Sequence, residues 1–171
     1  MALAAPERNF IGIEVHTPGV GHLLYLVQKH QLTNLRVMNT DAVEIIQQRI
    51  PEGSLDRVQI YCPDPWHKKR HNKRRIIQAE FVSLLASRLK LGGLLHLATD
   101  WQDYADSMAE VMQSSSTFRT ANPSGEAFSP RGFQQCAPAP LGSGAKAVAR
   151  SCAECRVRGP ELLEAVYDIL A

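Results

Sequence analysis

The stretch Phe10-Ile-Gly-Ile-Glu-Val-His-Thr-Pro-Gly-Val-Gly-His-Leu-Leu-Tyr-Leu-Val-Gln-Lys-His-Gln-Leu-Thr-Asn-Leu-Arg-Val-Met38 decides the fold class. Phe10 to Val15 is a short β-rich run, bounded by Asn9 and the Thr17-Pro18-Gly19 turn signal, and reads as a strand. From Pro18 to about Leu32, the residues Leu23, Leu24, Leu26 and Val27 cluster as one helix face requires, with Gln28, Lys29 and Gln31 beside them. Leu35 to Met38 is a second strand. A strand, a helical connection and another strand in so short a span form a crossover unit, which pairs its strands in parallel.

Downstream the same alternation repeats. Thr40 to Ile50 reads as a short helix with Thr40 or Asp41 as N-cap, ended by Pro51 and Gly53. Val58 to Cys62 is a third strand, stopped by Pro63. Ile76 to Lys90 is an amphipathic helix whose face holds Ile76, Ile77, Phe81, Leu84, Leu85 and Leu89, closed by Leu91-Gly-Gly93. Leu94 to Ala98 is a fourth strand. Asp100 is expected to cap a last helix, with Trp101, Tyr104, Ala105, Met108 and Met112 spaced three or four apart. The series predicts an α/β fold, a parallel sheet flanked by helices. Residues 121–151 collect turn-forming residues with little periodicity and read as loop or disordered tail, and Glu161 to Leu170 reads as a terminal helix.

Composition agrees with a folded domain. The chain has 171 residues, 44% hydrophobic and 21% charged, which excludes collagen-like and disordered classes. No apolar run nears the roughly 18 residues that span a bilayer, and the first ten residues lack the pattern of a secretory signal. Four cysteines give no disulfide framework, and the reducing cytoplasm is the expected compartment.

The net charge of +2 conceals a strong local asymmetry. His67-Lys-Lys-Arg-His-Asn-Lys-Arg-Arg75 holds six lysines and arginines and no acid; without them 13 bases face 17 acids. A basic stripe on an otherwise acidic body is an electrostatic footprint for phosphate, although most charge runs are simply solvated.

Each strand end carries an acid: Glu14 in the first strand, Asp41 just past the second, Asp64 just past the third and Asp100 after the fourth. In open α/β sheets ligands sit beyond the carboxyl ends of the strands. There Glu14 is suited to accept from a ribose diol and Asp41 from an adenine amino group, while capping is the bland role for Asp41 and Asp100. Pro63-Asp-Pro-Trp66 holds one acid between two prolines that restrict its backbone, and Trp66 offers a flat surface for a stacked base or simply a half-buried turn. His16, His22, His67, His71 and His96 have no zinc spacing, and Cys152-Ala-Glu-Cys155 lacks a partner pair, so no metal is expected.

Gly12-Ile-Glu-Val-His16, Pro18-Gly-Val-Gly21, Ser54-Leu-Asp-Arg-Val58, the thirteen residues Pro63 to Arg75, and Ala98-Thr-Asp-Trp101 resemble the bacterial tRNA (guanine-N7)-methyltransferase family. The resemblance runs from about Asn9 to Gln113. It implies a Rossmann-like class I methyltransferase that uses S-adenosyl-L-methionine to methylate guanine 46 in the variable loop of tRNA. Carried over by position, Glu14, Asp41 and Asp64 contact the methyl donor, with Asp64 also catalytic. Lys68 and Asp100 match substrate-contacting positions, and Arg70, His71, Asn72, Lys73, Arg74 and Arg75 match the RNA-interacting segment. A monomer that binds tRNA, but neither DNA nor membrane, is expected.

Two departures from the family pattern bear on the expected architecture. The family's first strand and Gly-rich donor loop would precede Asn9, where only Met1 to Arg8 stand without a glycine, so both are expected to be missing. Its closing segments do not appear after Arg131. The expected organisation is thus a partial methyltransferase domain over 9–120 and a tail over 121–171 unlike the family. The competing reading is a non-catalytic tRNA-binding fragment that lacks the donor site.

Overall fold

A computed structural model describes residues 1–121, 129–132 and 161–169. Among these, the chain divides into two compact units, one of residues 1–49 and one that begins at Ile50.

The first unit is the crossover motif. Strand β1 (Phe10–Ile13), helix α1 (Thr17–Lys29) and strand β2 (Leu35–Met38) are followed by helix α2 (Ala42–Gln48). β1 and β2 pair in parallel, Phe10 opposite Leu35 and Ile13 opposite Met38. Pro18 stands in the first turn of α1, where a missing N–H removes no helical bond. Asp41 caps α2: its Oδ1 accepts from the N–H groups of Val43 at 2.7 Å and Glu44 at 3.3 Å. The first four residues contribute only a short 3-10 turn (Ala2–Ala4).

The second unit is built on β3 (Leu55–Tyr61) and β4 (Leu89–Thr99), which pair in parallel from Arg57 opposite Leu94 to Tyr61 opposite Ala98. Between them lie a 3-10 turn (Lys69–Arg74) and helix α3 (Ala79–Arg88); α4 (Gln102–Ser114) and β5 (Phe118–Thr120) follow. Its core is the interior of β4 (Leu95, Leu97, Ala98), the face of α3 (Phe81, Val82, Leu85) and the i, i+4 stripe of α4 (Tyr104, Met108, Met112). β4 begins earlier than its apolar run predicts, at Leu89, and its register against β3 slips between Leu55 and Arg57. Gly93 sits in that irregularity, where an added Cβ would lie 2.8 Å from the Lys90 carbonyl oxygen.

Four further expectations need correction. Glu161–Ile169 is not a helix but a strand, β7, antiparallel to β4 from Leu94–Asp168 to Thr99–Leu163. β7 also pairs with β5 and with β6 (Ser129–Gly132), so a closing strand does follow Arg131. A short segment with both periods in its pattern takes the structure that tertiary pairing offers, here the open hydrogen-bonding edge of an apolar strand. Asp100 does not cap α4; the N-cap is Trp101, with no side-chain cap. Cys62, just past β3, is disulfide-bonded, which the cysteine count did not suggest. The rest of the expected tail lies outside the described residues. Two sheets result, β1–β2 and β3–β4–β7–β5, and among the described residues no strand pairs with both β1 and β3.

Candidate functional site

The acids singled out in the sequence share a local geometry. Glu14, directly after β1, accepts the His16 N–H on Oε1 at 2.8 Å. Asp41, beyond β2, accepts the Val43 N–H at 2.7 Å, and Asp64, beyond β3, accepts the Trp66 N–H at 2.9 Å. In each case the donor is two residues on, an Asx-type turn or its glutamate equivalent. One carboxylate oxygen is anchored to backbone, and the other makes no hydrogen bond among the described residues. Glu14, Asp41 and Asp64 are exposed.

Asp100 breaks the series. The equivalent bond at the end of β4 is made by Thr99, whose Oγ1 accepts the Trp101 N–H at 3.3 Å. Thr99 is buried, whereas Asp100 is half-buried with no backbone anchor.

Asn39, which sequence reasoning missed, braces the first unit's strand ends. Its Nδ2 donates to the Glu14 carbonyl at 2.8 Å, and its Oδ1 accepts from the Thr17 hydroxyl at 3.2 Å. A lone Asn after a strand carries no signal of this in the sequence.

In the second unit, the Pro63–Trp66 loop is tightly determined. Cys62 and Trp66, on either side of Pro-Asp-Pro, have φ of +45° and +47°, the left-handed region that side-chain-bearing residues seldom occupy. Three bonds hold this shape. Besides Asp64 to Trp66 N–H, Arg75 Nε donates to the Pro65 carbonyl at 2.9 Å, and the Asn72 side-chain NH₂, in the amide orientation that its neighbours require, donates to the Trp66 carbonyl at 3.1 Å. His67 stacks edge-on against Trp101 with ring centroids 4.3 Å apart.

The basic run is not one uniform surface. Lys69–Arg74 forms a 3-10 turn; Lys68, which precedes it, and Lys69, Arg70, Lys73 and Arg74 within it are exposed. Lys68, Lys69 and Lys73 make no side-chain bond among the described residues. Arg70 Nε lies 3.2 Å from His71 Nε2, and the Arg74 guanidinium lies over the Trp66 ring at 4.9 Å. Asn72, half-buried, is a brace.

Arg75, expected in the RNA-interacting segment, is held by the protein itself. It is 3% exposed, paired with Asp103 and stacked over the Tyr104 ring at 4.7 Å. Its charge is met by protein because Asp103 and Tyr104 of α4 reach the loop at this residue. Tyr104, fully buried, accepts the Ile77 N–H on its hydroxyl at 3.2 Å. Burial pushes the Tyr104 hydroxyl above the usual tyrosine value, more than the Ile77 N–H and Arg75 charge pull it down; the Asp64 charge adds a smaller upward push. Among the described residues, no cluster of three or more His, Cys, Asp or Glu is arranged to hold a metal, and no helix is long and apolar enough to cross a membrane.

Comparison with known proteins gives the family. Residues 1–135 match a family model described as "Putative methyltransferase". The chain belongs to this methyltransferase family. It is 54% identical over 125 residues to a tRNA (guanine-N(7)-)-methyltransferase of Shewanella denitrificans, covering 73% of this chain and 52% of that protein. With the Yersinia enterocolitica protein of the same name, identity is 57% over 119 residues, 70% of this chain and 50% of that one. With the Pseudomonas fluorescens protein of that name it is 46% over 169 residues, covering 99% of this chain and 64% of its relative. The family match thus continues past the boundary placed at residue 121. The chain spans about half to two thirds of the length of these curated relatives.

Among solved structures, it is similar to a 30S ribosomal A1408 methyltransferase from an uncultured bacterium, with a TM-score of 0.59 at 15% identity, over 99% of this chain and 79% of that one. An rRNA methylase from Streptococcus thermophilus matches with a TM-score of 0.56 at 11% identity, over 95% and 74%. At such identities these structures establish the fold alone: α/β and Rossmann-like, with helices flanking parallel strands.

Proposed function

We propose that this methyltransferase-family chain acts in the transfer of a methyl group from S-adenosyl-L-methionine to N7 of guanine 46 in the tRNA variable loop. The observation that carries the reading is the loop from Pro63 to Arg74. One carboxylate, Asp64, is locked by backbone bonds beside a turn that presents unpaired lysines to solvent. The relatives named as tRNA (guanine-N(7)-)-methyltransferases support the same assignment.

The carboxylates fit the donor. Glu14 and Asp41 each anchor one carboxylate oxygen to backbone after a strand and leave the second as an acceptor, the chemistry that a ribose diol or an adenine amino group requires. When bound, S-adenosyl-L-methionine supplies an electrophilic sulfonium methyl group. Guanine N7 carries a free lone pair, so no general base is required. The chain's own contribution is placement, an effect that reaches roughly 7–11 kcal/mol in favourable cases. Asp64 serves as an orienting and electrostatic group rather than a proton acceptor, with its carboxylate fixed through Trp66 N–H. Lys68, Lys69, Arg70, Lys73 and Arg74 hold phosphates, and Asp100, free of any capping role, contacts the substrate. The cytoplasm is the matching compartment.

Labelled methyl transfer from S-adenosyl-L-methionine to unmodified tRNA, with duplex DNA in parallel, tests the reading. Incorporation at a single guanine N7 supports it. Salt-dependent tRNA binding without incorporation and without donor binding returns the chain to a non-catalytic RNA-binding role.

A further inference from the structure

The Trp66 ring sits where neither the core nor the backbone calls for a tryptophan. Its φ of +47° favours glycine, and Trp66 is absent from the buried core. Among the described residues, the Arg74 guanidinium lies 4.9 Å over the face of its ring and His71 stands edge-on at 5.9 Å. Yet its backbone is fixed on both sides by Asp64, Asn72 and Arg75. An aromatic ring mounted in an unfavourable backbone conformation, half-buried and faced by one arginine, has the features of a platform rather than of a packing residue.

We infer that Trp66 is a stacking surface for an unpaired RNA base, and that Arg74 is its removable cover. The inference rests on the reading of this loop as the RNA-binding segment. In the free protein Arg74 shields the ring face. An exposed cation–π contact shifts an equilibrium by roughly 2- to 5-fold, whereas a base stacked on an aromatic side chain is worth roughly 5- to 150-fold. A base therefore displaces the guanidinium. The displaced Arg74 does not lose its charge partner, because the phosphate that arrives with the base takes it in the field of Lys68, Lys69 and Lys73. Coverage and exposure are thus coupled to the same ligand. The surface favours a flipped or single-stranded base over a duplex, whose bases have no free face.

Fluorine NMR on the full chain labelled with 5-fluorotryptophan reads this directly, since the chain has two tryptophans and needs neither replaced. Trp66→Phe assigns the resonances, and an unmodified tRNA transcript and a perfect RNA duplex are the probes. Saturating tRNA, with occupancy checked by filter binding, is expected to move the Trp66 resonance strongly. The duplex should move it much less. Arg74→Ala should move the resonance before RNA is added and leave the tRNA-induced change intact. Trp66→Ala should weaken tRNA binding by roughly 5- to 150-fold, and Trp66→Phe far less. An unmoved Trp66 resonance at full tRNA occupancy overturns the platform. A tRNA-induced change abolished by Arg74→Ala overturns the cover, because Arg74 would then be part of the stack. No tRNA binding at all overturns the RNA reading itself and this inference with it.

Discussion

Replacing Arg75 with alanine should unfold the protein more readily without changing how its RNA affinity responds to salt. Arg75 makes three contacts: a charge-assisted bond to the Pro65 carbonyl at 2.9 Å, an ion pair with Asp103, and a stack over Tyr104 at 4.7 Å. Charge-assisted bonds contribute about 1.5–3 kcal/mol. The ion pair is discounted to about 0–1 kcal/mol, since the Asp103 side chain is 62% exposed and well screened. A shielded cation–π contact adds about 1 kcal/mol. The alanine variant should therefore lose about 2.5–5 kcal/mol, within the range for a broken buried network. With a urea slope of about 2 kcal/mol per molar, the midpoint falls by about 1.2–2.5 M. Tryptophan emission is a suitable probe, because Trp66 and Trp101 both stand in the unit that begins at Ile50. Lys73→Ala is the contrast: an unchanged urea midpoint, and a salt slope for tRNA binding reduced by about 0.9. The reasoning is refuted if Arg75→Ala keeps the parental midpoint and flattens the salt slope as Lys73→Ala does, for Arg75 would then reach phosphate.

Asp64→Asn keeps an oxygen to accept the Trp66 N–H, so tRNA affinity should change little while methyl transfer falls at least tenfold; a fully active variant would remove Asp64 from the reaction. Asp41→Asn preserves the helix cap and Asp41→Ala removes it, at about 1 kcal/mol. Donor affinity measured by calorimetry should drop in both, whereas the urea midpoint should drop only in the alanine variant. Tyr104 titrates near 10 in the unfolded chain and higher in the fold, because burial disfavours its charged form. The stability this contributes is fully present below about pH 10 and is lost as the pH climbs through the raised folded value. Tyr104→Phe should show a shallower alkaline loss in urea midpoints taken from pH 8 to 12, and a neutral-pH cost of about 1–3 kcal/mol from the orphaned Ile77 N–H. Gly93→Ala, whose Cβ meets the Lys90 carbonyl, should cost about 1–3 kcal/mol by the same urea assay.

The parallel strand pairs and all four helices were legible because their signals are local: period-2 and period-3.6 patterns, Asp41 as a cap, and Pro51 and Pro63 as stops. β7 was not, because Glu161–Ile169 carries apolar residues at both periods and its structure depends on a partner edge some sixty residues earlier in the chain. The basic run was visible as charge, but charge does not say which cation is met by protein. Only the arrival of Tyr104 and Asp103 at the loop separates Arg75 from Lys73. Likewise Asn39 and Asn72 act through backbone carbonyls, and nothing in their neighbouring residues marks that.

Under the proposed function, the capping role and the ligand role of Asp41 use different atoms. Oδ1 accepts the Val43 and Glu44 N–H groups, and Oδ2, which makes no hydrogen bond among the described residues, is the oxygen a bound donor would meet. Glu14 and Asp64 divide their oxygens in the same way between His16 or Trp66 and solvent. A carboxylate anchored through one oxygen cannot swing freely, so the second oxygen is already oriented before anything binds, and the ordering cost of a flexible side chain is avoided. The bland role is then the means by which the sharper one is achieved. This also accounts for Asp100, the acid without such an anchor: Thr99 has taken the turn bond, leaving both carboxylate oxygens able to move with a substrate. On this argument, Thr99→Ala should loosen the Trp101 end of α4 without altering donor affinity, whereas Asp100→Ala should raise the KM for tRNA and leave donor affinity and the urea midpoint unchanged. A calorimetric loss of donor binding in Asp100→Ala would place it with Glu14 and Asp41 instead.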